Sequence, residues 1–225
     1  MADKNQEEVI VDVEQVFSKS EAFFEKNNKM ISIVVGGIVA IVALYFAYTN
    51  LYLAPKEKEA SEMMWKAEYY FEIDSLDLAI EGDGNYFGFD YISSNYSGTK
   101  AGKLANYYLG ICYYQKGEFE TAINYLKDAS LSDEIVSSVA LGTIGDAYVE
   151  LGDYQKALGY FADAANNSDN DYSAPLYLKK KAILHENLGE WAQANKAYLE
   201  IKNNYATSAE GKDIDKYLAR VQNYL

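Results

Sequence analysis

One histidine, His185, and one cysteine, Cys112, are the side chains best suited to general-base or nucleophilic work in this 225-residue chain. An activated nucleophile needs a neighbouring base that a third group orients, and a tetrahedral metal site needs three or four well-spaced His, Cys or carboxylate ligands. Neither residue has such company. Cys112 lies in the apolar run LGICYYQ, which predicts a buried small hydrophobe rather than a reactive thiol. A lone cysteine also excludes an intramolecular disulfide. His185 falls on a periodic helical segment and reads as a core filler. Acidic clusters around Asp83 and at Asp169-Asn170-Asp171 invite a calcium reading, yet neither carries the glycine and bidentate glutamate that a calcium loop needs downstream. Both read as loops. With no phosphate-binding glycine loop and no nucleophile elbow, the chain reads as a non-enzyme with no cofactor, no metal and no small-molecule substrate.

The elements behind these residues are helical. Two prolines, long runs of helix formers and few alternating apolar–polar stretches predict an all-α protein. Apolar residues make up 49% of the chain, enough to build a core rather than a disordered segment. The formal charge of −14 argues against nucleic acid, because phosphate recognition needs clustered Lys and Arg. The single basic run, Lys179-Lys180-Lys181, reads as a solvated helix face.

From Met30 to Leu53 no residue is charged. At the helical rise these residues span roughly 36 Å, against a hydrocarbon core of about 30 Å. Tyr45, Phe46, Tyr48 and Tyr52 suit an interfacial belt, and Lys26, Lys29, Lys56 and Lys58 flank the run. The acidic segment ahead of it and its length both speak against a cleaved signal peptide. Lysine counting does not orient the span: Lys19, Lys26 and Lys29 on one side balance Lys56, Lys58 and Lys66 on the other. Within it Gly36, Ala40, Ala43 and Ala47 recur at i, i+4, i+7 and i+11. They form a small-residue stripe that permits close packing against another membrane helix, although Gly and Ala are also simply common in such helices.

Four segments follow. Residues 1–29 are an acidic arm in which Val9, Val13, Val16, Phe17, Phe23 and Phe24 fall near helical spacing. Residues 30–53 are the transmembrane helix. Residues 54–99 lead into the rest through a helix over EKEASEMMWKAEYYFEI, then a Gly/Ser/Asn/Tyr-rich stretch with a short helix around residues 87–93. Pro55 stops the membrane helix or lets it restart. Residues 100–225 are dominated by self-similarity. LGICYYQKGEFETAINYLKDA begins at Leu109, and IGDAYVELGDYQKALGYFADA begins 35 residues later at Ile144. Leu109, Gly110, Tyr113, Gly117, Ala122, Leu126 and Ala129 match Ile144, Gly145, Tyr148, Gly152, Ala157, Phe161 and Ala164. A degenerate third unit offers Ala182, His185, Gly189, Ala194, Tyr198 and Ile201. A period in this range signals a helical solenoid.

This pattern resembles the tetratricopeptide repeat, which implies an α-solenoid of helix pairs closed by a capping helix over residues 208–225. Gly110 and Gly145, with Ala122 and Ala157, would let paired helices approach. Gly117, Gly152 and Gly189 suit left-handed turns. Tyr113 and Tyr148 would fill the seam. Ala129 and Ala164 would leave room for the next repeat. The family's proline at the repeat end is replaced by Glu134, Asp169 and Ala206. The resemblance also implies a protein-binding groove along the first helices, with Tyr107, Ile111 and Tyr114, then Asp146, Val149 and Glu150, then Lys179, Ile183 and Glu186. Tyr107 and Ile111 stand where the chaperone-cofactor class carries its carboxylate clamp, so the surface is aromatic and acidic instead, suited to apolar or basic extended segments. The alternative is that these tyrosines only pack against neighbouring helices.

The whole layout resembles YfgM-type ancillary subunits of the bacterial Sec translocon. That resemblance implies an inner-membrane protein, single-pass, with a cytoplasmic N-terminus and periplasmic repeats. Its implied partners are translocon subunits, a membrane-anchored periplasmic chaperone and client polypeptides emerging in the periplasm. The competing readings are a structural adaptor of another envelope complex, such as division or cell-wall machinery, and a cytosol-facing organelle anchor with the repeats on the other side.

Overall fold

The computed structural model describes residues 13–167 and 170–225. The expectations for Val9 and the rest of residues 1–12, for Asp169, and for the side chains of Val13, Val16, Phe17 and Phe24 lie outside the described residues. The chain divides into two compact units, 1–54 and 55–225.

The first unit is helical throughout its described part. α1 covers Val13–Ala47, and a π-helical turn, Tyr48–Leu53, follows it before α2, Ala54–Glu72. Proline has no N–H to donate and its ring crowds the carbonyl four residues back. A wider π-turn just ahead of Pro55, in which the Ala54 N–H reaches the Thr49 carbonyl, lets the chain stay helical past it. The proline therefore neither stops nor restarts the helix. Within Glu25–Glu72 lies a stretch long and apolar enough to cross a membrane. Its side chains are exposed, including Ile33, Ile41, Leu44 and Leu51.

The second unit is an array of helices. After α2 come α3 (Leu76–Glu81) and α4 (Phe89–Asn95), then α5 (Lys100–Gln115), α6 (Phe119–Asp128), α7 (Glu134–Glu150), α8 (Tyr154–Asn166), α9 (Ser173–Asn187) and α10 (Trp191–Asn204). A 3₁₀ turn, Gly211–Asp213, opens into α11, Ile214–Gln222. The expected short helix at 87–93 sits two residues later, as α4, and α3 was not anticipated. From α4 to α11 the helices contact one another in chain order, and α5 also meets α7, as α7 meets α9. That is the contact pattern of a solenoid, where each unit touches its neighbours.

Three turns share one geometry. Gly117, Gly152 and Gly189 have φ of +78°, +75° and +73°. In the first, the Gly117 N–H donates to the Tyr114 carbonyl and the Glu118 N–H to the Tyr113 carbonyl, at 3.0 and 2.9 Å. Gly152 and Asp153 repeat this with Val149 and Tyr148, as do Gly189 and Glu190 with Glu186 and His185. Each is a Schellman closure, in which two otherwise orphaned carbonyls are satisfied by a left-handed glycine and its successor. The chain then reverses into the second helix.

Close approach within each pair rests on missing Cβ atoms. A Cβ on Gly110 would lie 2.4 Å from Leu126 Cγ, and one on Gly145 2.6 Å from Phe161 Cε1. Ala122, Ala157, Ala129 and Ala164 are buried, the first two and the last completely. The core runs along the array as three clusters. One joins α2, α3, α4 and α5 around Met64, Phe89, Ile92 and Leu109. A second joins α6 and α7 around Ile123, Leu126 and Ile144. The third joins α8 to α11 around Phe161, Tyr177, Tyr198 and Ile214.

Candidate protein-binding surface

The residues expected to line the groove come from the first helix of each pair, α5, α7 and α9. On α5, Tyr107, Ile111 and Tyr114 are half-buried and pack against the cluster of Ile123, Leu126, Ile144 and Ala147. Tyr114 also meets Phe119 edge-on, with ring centroids 5.7 Å apart. Burial raises the Tyr114 phenol above its ordinary value, and the nearby Asp146 and Glu150 carboxylates add to the shift. Burial likewise raises Tyr177, with Asp146 and Tyr107 contributing. The fold thus brings Tyr107, Tyr114, Asp146 and Glu150 into one neighbourhood, as an aromatic and acidic patch. The tyrosines also hold α5 to its neighbours.

Asp146 is not a free carboxylate. Its Oδ2 accepts from Lys180 Nζ at 2.5 Å, a link from α7 to α9. Val149 packs on the third core cluster, and Glu150 is exposed. On α9 the expected groove residues are engaged by α11. Lys179 Nζ lies 5.1 Å from the Tyr217 ring centre. Glu186 Oε1 accepts from Arg220 Nη2 at 2.6 Å and also from the Tyr198 hydroxyl. Only Ile183 among the three stays open, at 37% exposed. The first-helix positions expected to line the groove are used, in the third unit, to seat the closing helix.

Sequence reasoning missed this use because the periodic offsets end at Ile201, while Arg220 and Tyr217 sit beyond them in α11. The charge pattern was the available signal: Arg220 is the one arginine of the chain.

The seam residues take the places their spacing implied. Tyr113 stacks on Tyr125 at 5.4 Å and Tyr148 on Tyr160 at 5.4 Å. In the third unit His185 stands at this position, buried, with Nδ1 2.6 Å from Glu190 Oε2. A small imidazole with a hydrogen-bonded tip replaces a stacked phenol because Ala197 occupies the position equivalent to Tyr125 and Tyr160. Cys112 is fully buried, and burial pushes its thiol up to about 12. A thiol held neutral is inert as a nucleophile. Among the described residues no group of three His, Cys, Asp or Glu side chains is placed to hold a metal ion. Along α1, Gly36, Ala40, Ala43 and Ala47 are exposed, and nothing lies within 4 Å of where a Cβ on Gly36 would be.

Family models for the tetratricopeptide repeat match at the helix pairs. One matches residues 104–129 and 180–208, and a second matches residues 140–171. The matched segments coincide with α5–α6, α9–α10 and α7–α8. Residues 104–129, 140–171 and 180–208 are thus each similar to a tetratricopeptide repeat. A comparison with curated proteins gave no match. Tetratricopeptide repeats are protein–protein interaction modules, and this array offers mixed aromatic and acidic chemistry for that role.

Proposed function

We propose that this chain is a membrane-anchored protein–protein interaction module. It acts as an ancillary subunit of the bacterial Sec translocon and assists secreted or envelope proteins as they emerge in the periplasm. The observation that carries the binding role is the patch on α5 and α7. Tyr107, Ile111 and Tyr114 present half-buried aromatic and aliphatic surface beside Asp146 and the exposed Glu150. Aromatic anchors beside charge suit extended segments that are apolar or basic. The anchor rests on the uncharged run from Met30 to Leu53 and on the exposure of its side chains. The translocon assignment and the periplasmic placement rest on the likeness of the whole layout to that ancillary-subunit family.

The test is in-cell crosslinking. A photoreactive amino acid placed at Glu150 or Ile183, two exposed positions that hold no core, should capture translocon subunits, an anchored periplasmic chaperone or secreted clients, identified by mass spectrometry. Capture of division or cell-wall proteins in their place would move the chain to the adaptor reading and end the translocon assignment.

A further inference from the structure

Away from the first-helix patch, the leading part of the array carries exposed aromatic rings in one contiguous group. Trp65 and Tyr69 stand one helical turn apart on α2, 54% and 46% exposed. Tyr86 and Phe87, each 47% exposed, come from the loop between α3 and α4. Trp65 meets Tyr86 edge-on at 5.5 Å, and Phe87 stacks on Tyr91 of α4 at 3.7 Å. Large rings left half open in a group are what protein interfaces use as anchors, and isolated surface apolar residues would not cluster so.

The loop that presents them is held in shape. Asp83 Oδ2 accepts from the Tyr70 hydroxyl at 2.6 Å, while Oδ1 accepts from the Asn85 and Tyr86 N–H groups at 2.9 and 2.8 Å. Gly82 and Phe87 form an antiparallel bridge across it. A Cβ on Gly82 would lie 2.2 Å from the Tyr86 carbonyl oxygen, so this closure requires glycine. Ordering costs are thus met before any partner arrives.

Two observations define the occupant. First, the rings already seat a cation: Lys66 Nζ lies 4.7 and 4.9 Å from the Tyr69 and Tyr70 centres and 5.5 Å from those of Trp65 and Tyr86. The outer faces of Trp65, Tyr69 and Tyr86 offer the same quadrupole to a second cation. Second, residues 55–99 hold ten carboxylates against three lysines. Glu62 and Glu72 lie on the exposed α2 face that also carries Trp65 and Tyr69, at helical spacing 62, 65, 69, 72. These carboxylates repel an anionic lipid surface and attract a basic one.

We propose that Trp65, Tyr69, Tyr86 and Phe87 form a second docking surface for an extended partner segment in which arginine or lysine alternates with apolar side chains. This surface is independent of the patch on α5 and α7.

The full chain in detergent micelles provides the test. The chain has two tryptophans, and Trp191→Phe keeps the stack that Trp191 makes on Tyr224, leaving Trp65 as the sole reporter. The probes are a tryptophan-free synthetic peptide alternating Arg and Leu, its counterpart with Glu for every Arg, and phosphatidylglycerol vesicles. The Arg/Leu peptide should change Trp65 fluorescence saturably, weakening as salt rises. Tyr69→Ala with Tyr86→Ala should weaken it by about tenfold or more, the scale of losing interface anchors. Glu62→Lys with Glu72→Lys leaves every ring in place and should weaken it to a similar degree. Glu150→Lys should leave it unchanged. The proposal fails if the Glu/Leu peptide binds as well, if either double variant stays within twofold of the parent, if the vesicles alone produce the change, or if Glu150→Lys abolishes it.

Discussion

Gly142 and Gly159 both sit in helix interiors and should respond to alanine in opposite directions. A Cβ on Gly142 would fall 1.9 Å from Tyr177 Cε1, inside a ring that is buried and hemmed by neighbours. Gly142→Ala should therefore destabilise by about 1–3 kcal/mol, the usual cost of overpacking a filled core. Gly159 is exposed on α8 with nothing within 4 Å of its Cβ position. There alanine relieves the backbone-entropy cost of glycine and should stabilise by about 0.5–1 kcal/mol. Denaturant midpoints of the two variants check both signs. The repeat offsets make Gly110, Gly145 and the turn glycines legible in the sequence, because each recurs at its own interval. Gly142 has no such signal. It stands at the offset of Tyr107, and the notch it opens is filled by Tyr177 from the next unit, a pairing that only the three-dimensional stack reveals.

At the scale of elements, two junctions share a motif that the repeat offsets do not include. In YSGTKAG, residues 96–102, Thr99 Oγ1 donates to the Tyr96 carbonyl at 2.7 Å and accepts from the Gly102 N–H at 2.9 Å. In YATSAEG, residues 205–211, Ser208 does the same between Tyr205 and Gly211, at 2.7 and 3.0 Å. The glycines are needed for contact: a Cβ would lie 2.0 Å from the Tyr96 oxygen in one and 2.1 Å from the Tyr205 oxygen in the other. In both, one hydroxyl ties off an outgoing helix; Thr99 also caps α5, whereas Ser208 closes the turn that leads into the 3₁₀ segment ahead of α11. The first junction leads from α4 into α5 and the second from α10 into α11, so α4 plays the part of a second helix and α11 that of a first. The helical stack therefore extends past the Gly/Tyr/Gly/Ala offsets at both ends, by α2 to α4 before them and by the single helix α11 after them. Those offsets fail in α2 to α4 because α3 and the Gly82–Gly88 loop lengthen the connection and break the period. At the α5 junction Glu57 adds a carboxylate, with Oε2 2.5 Å from the Lys100 N–H and Oε1 3.1 Å from that of Ala101. Negative charge at a helix N-terminus is favourable. Thr99→Ala should cost about 0.5–2 kcal/mol, and Thr99→Ser should recover most of it. Faster hydrogen exchange at Gly102 in the alanine variant alone would locate the loss at the cap; unchanged exchange there would detach the motif from helix stability.

Across the whole molecule, tyrosine is the commonest aromatic, at 22 of 225 residues, and many of these rings serve as packing. Composition alone does not separate a tyrosine that binds from one that packs, which is why the sequence offers a candidate face but not a list of free side chains. Burial gives the packed ones a shared consequence at high pH. Burial, with a lesser contribution from Glu68, pushes Tyr108 up to about 12, from an ordinary 10.0. Burial moves Cys112 up to about 12 from 9.0, and it raises Tyr177 and Tyr198, the latter also through its hydrogen bond to Glu186. Each group stays protonated in the folded chain over a range where the unfolded chain has released its proton. The unfolded state then binds fewer protons, so stability declines as pH rises. The contribution is fully present below about 8, where the unfolded thiol and phenols are still largely neutral. It shrinks through the interval up to about 12 in which Tyr108 and Cys112 titrate in the fold. Melting temperature should accordingly hold level from neutral pH to about 8, begin to decline as the unfolded thiol ionises, and fall increasingly steeply above 10. Each such group adds at most about 1.4 kcal/mol per pH unit to the slope. Tyr177→Phe keeps the ring that fills the Gly142 notch and removes one titrating hydroxyl, so its decline above pH 10 should be shallower than that of the parent chain. Parallel declines would mean that the Tyr177 phenol ionises as readily folded as unfolded, and alkaline sensitivity would then have to come from other groups.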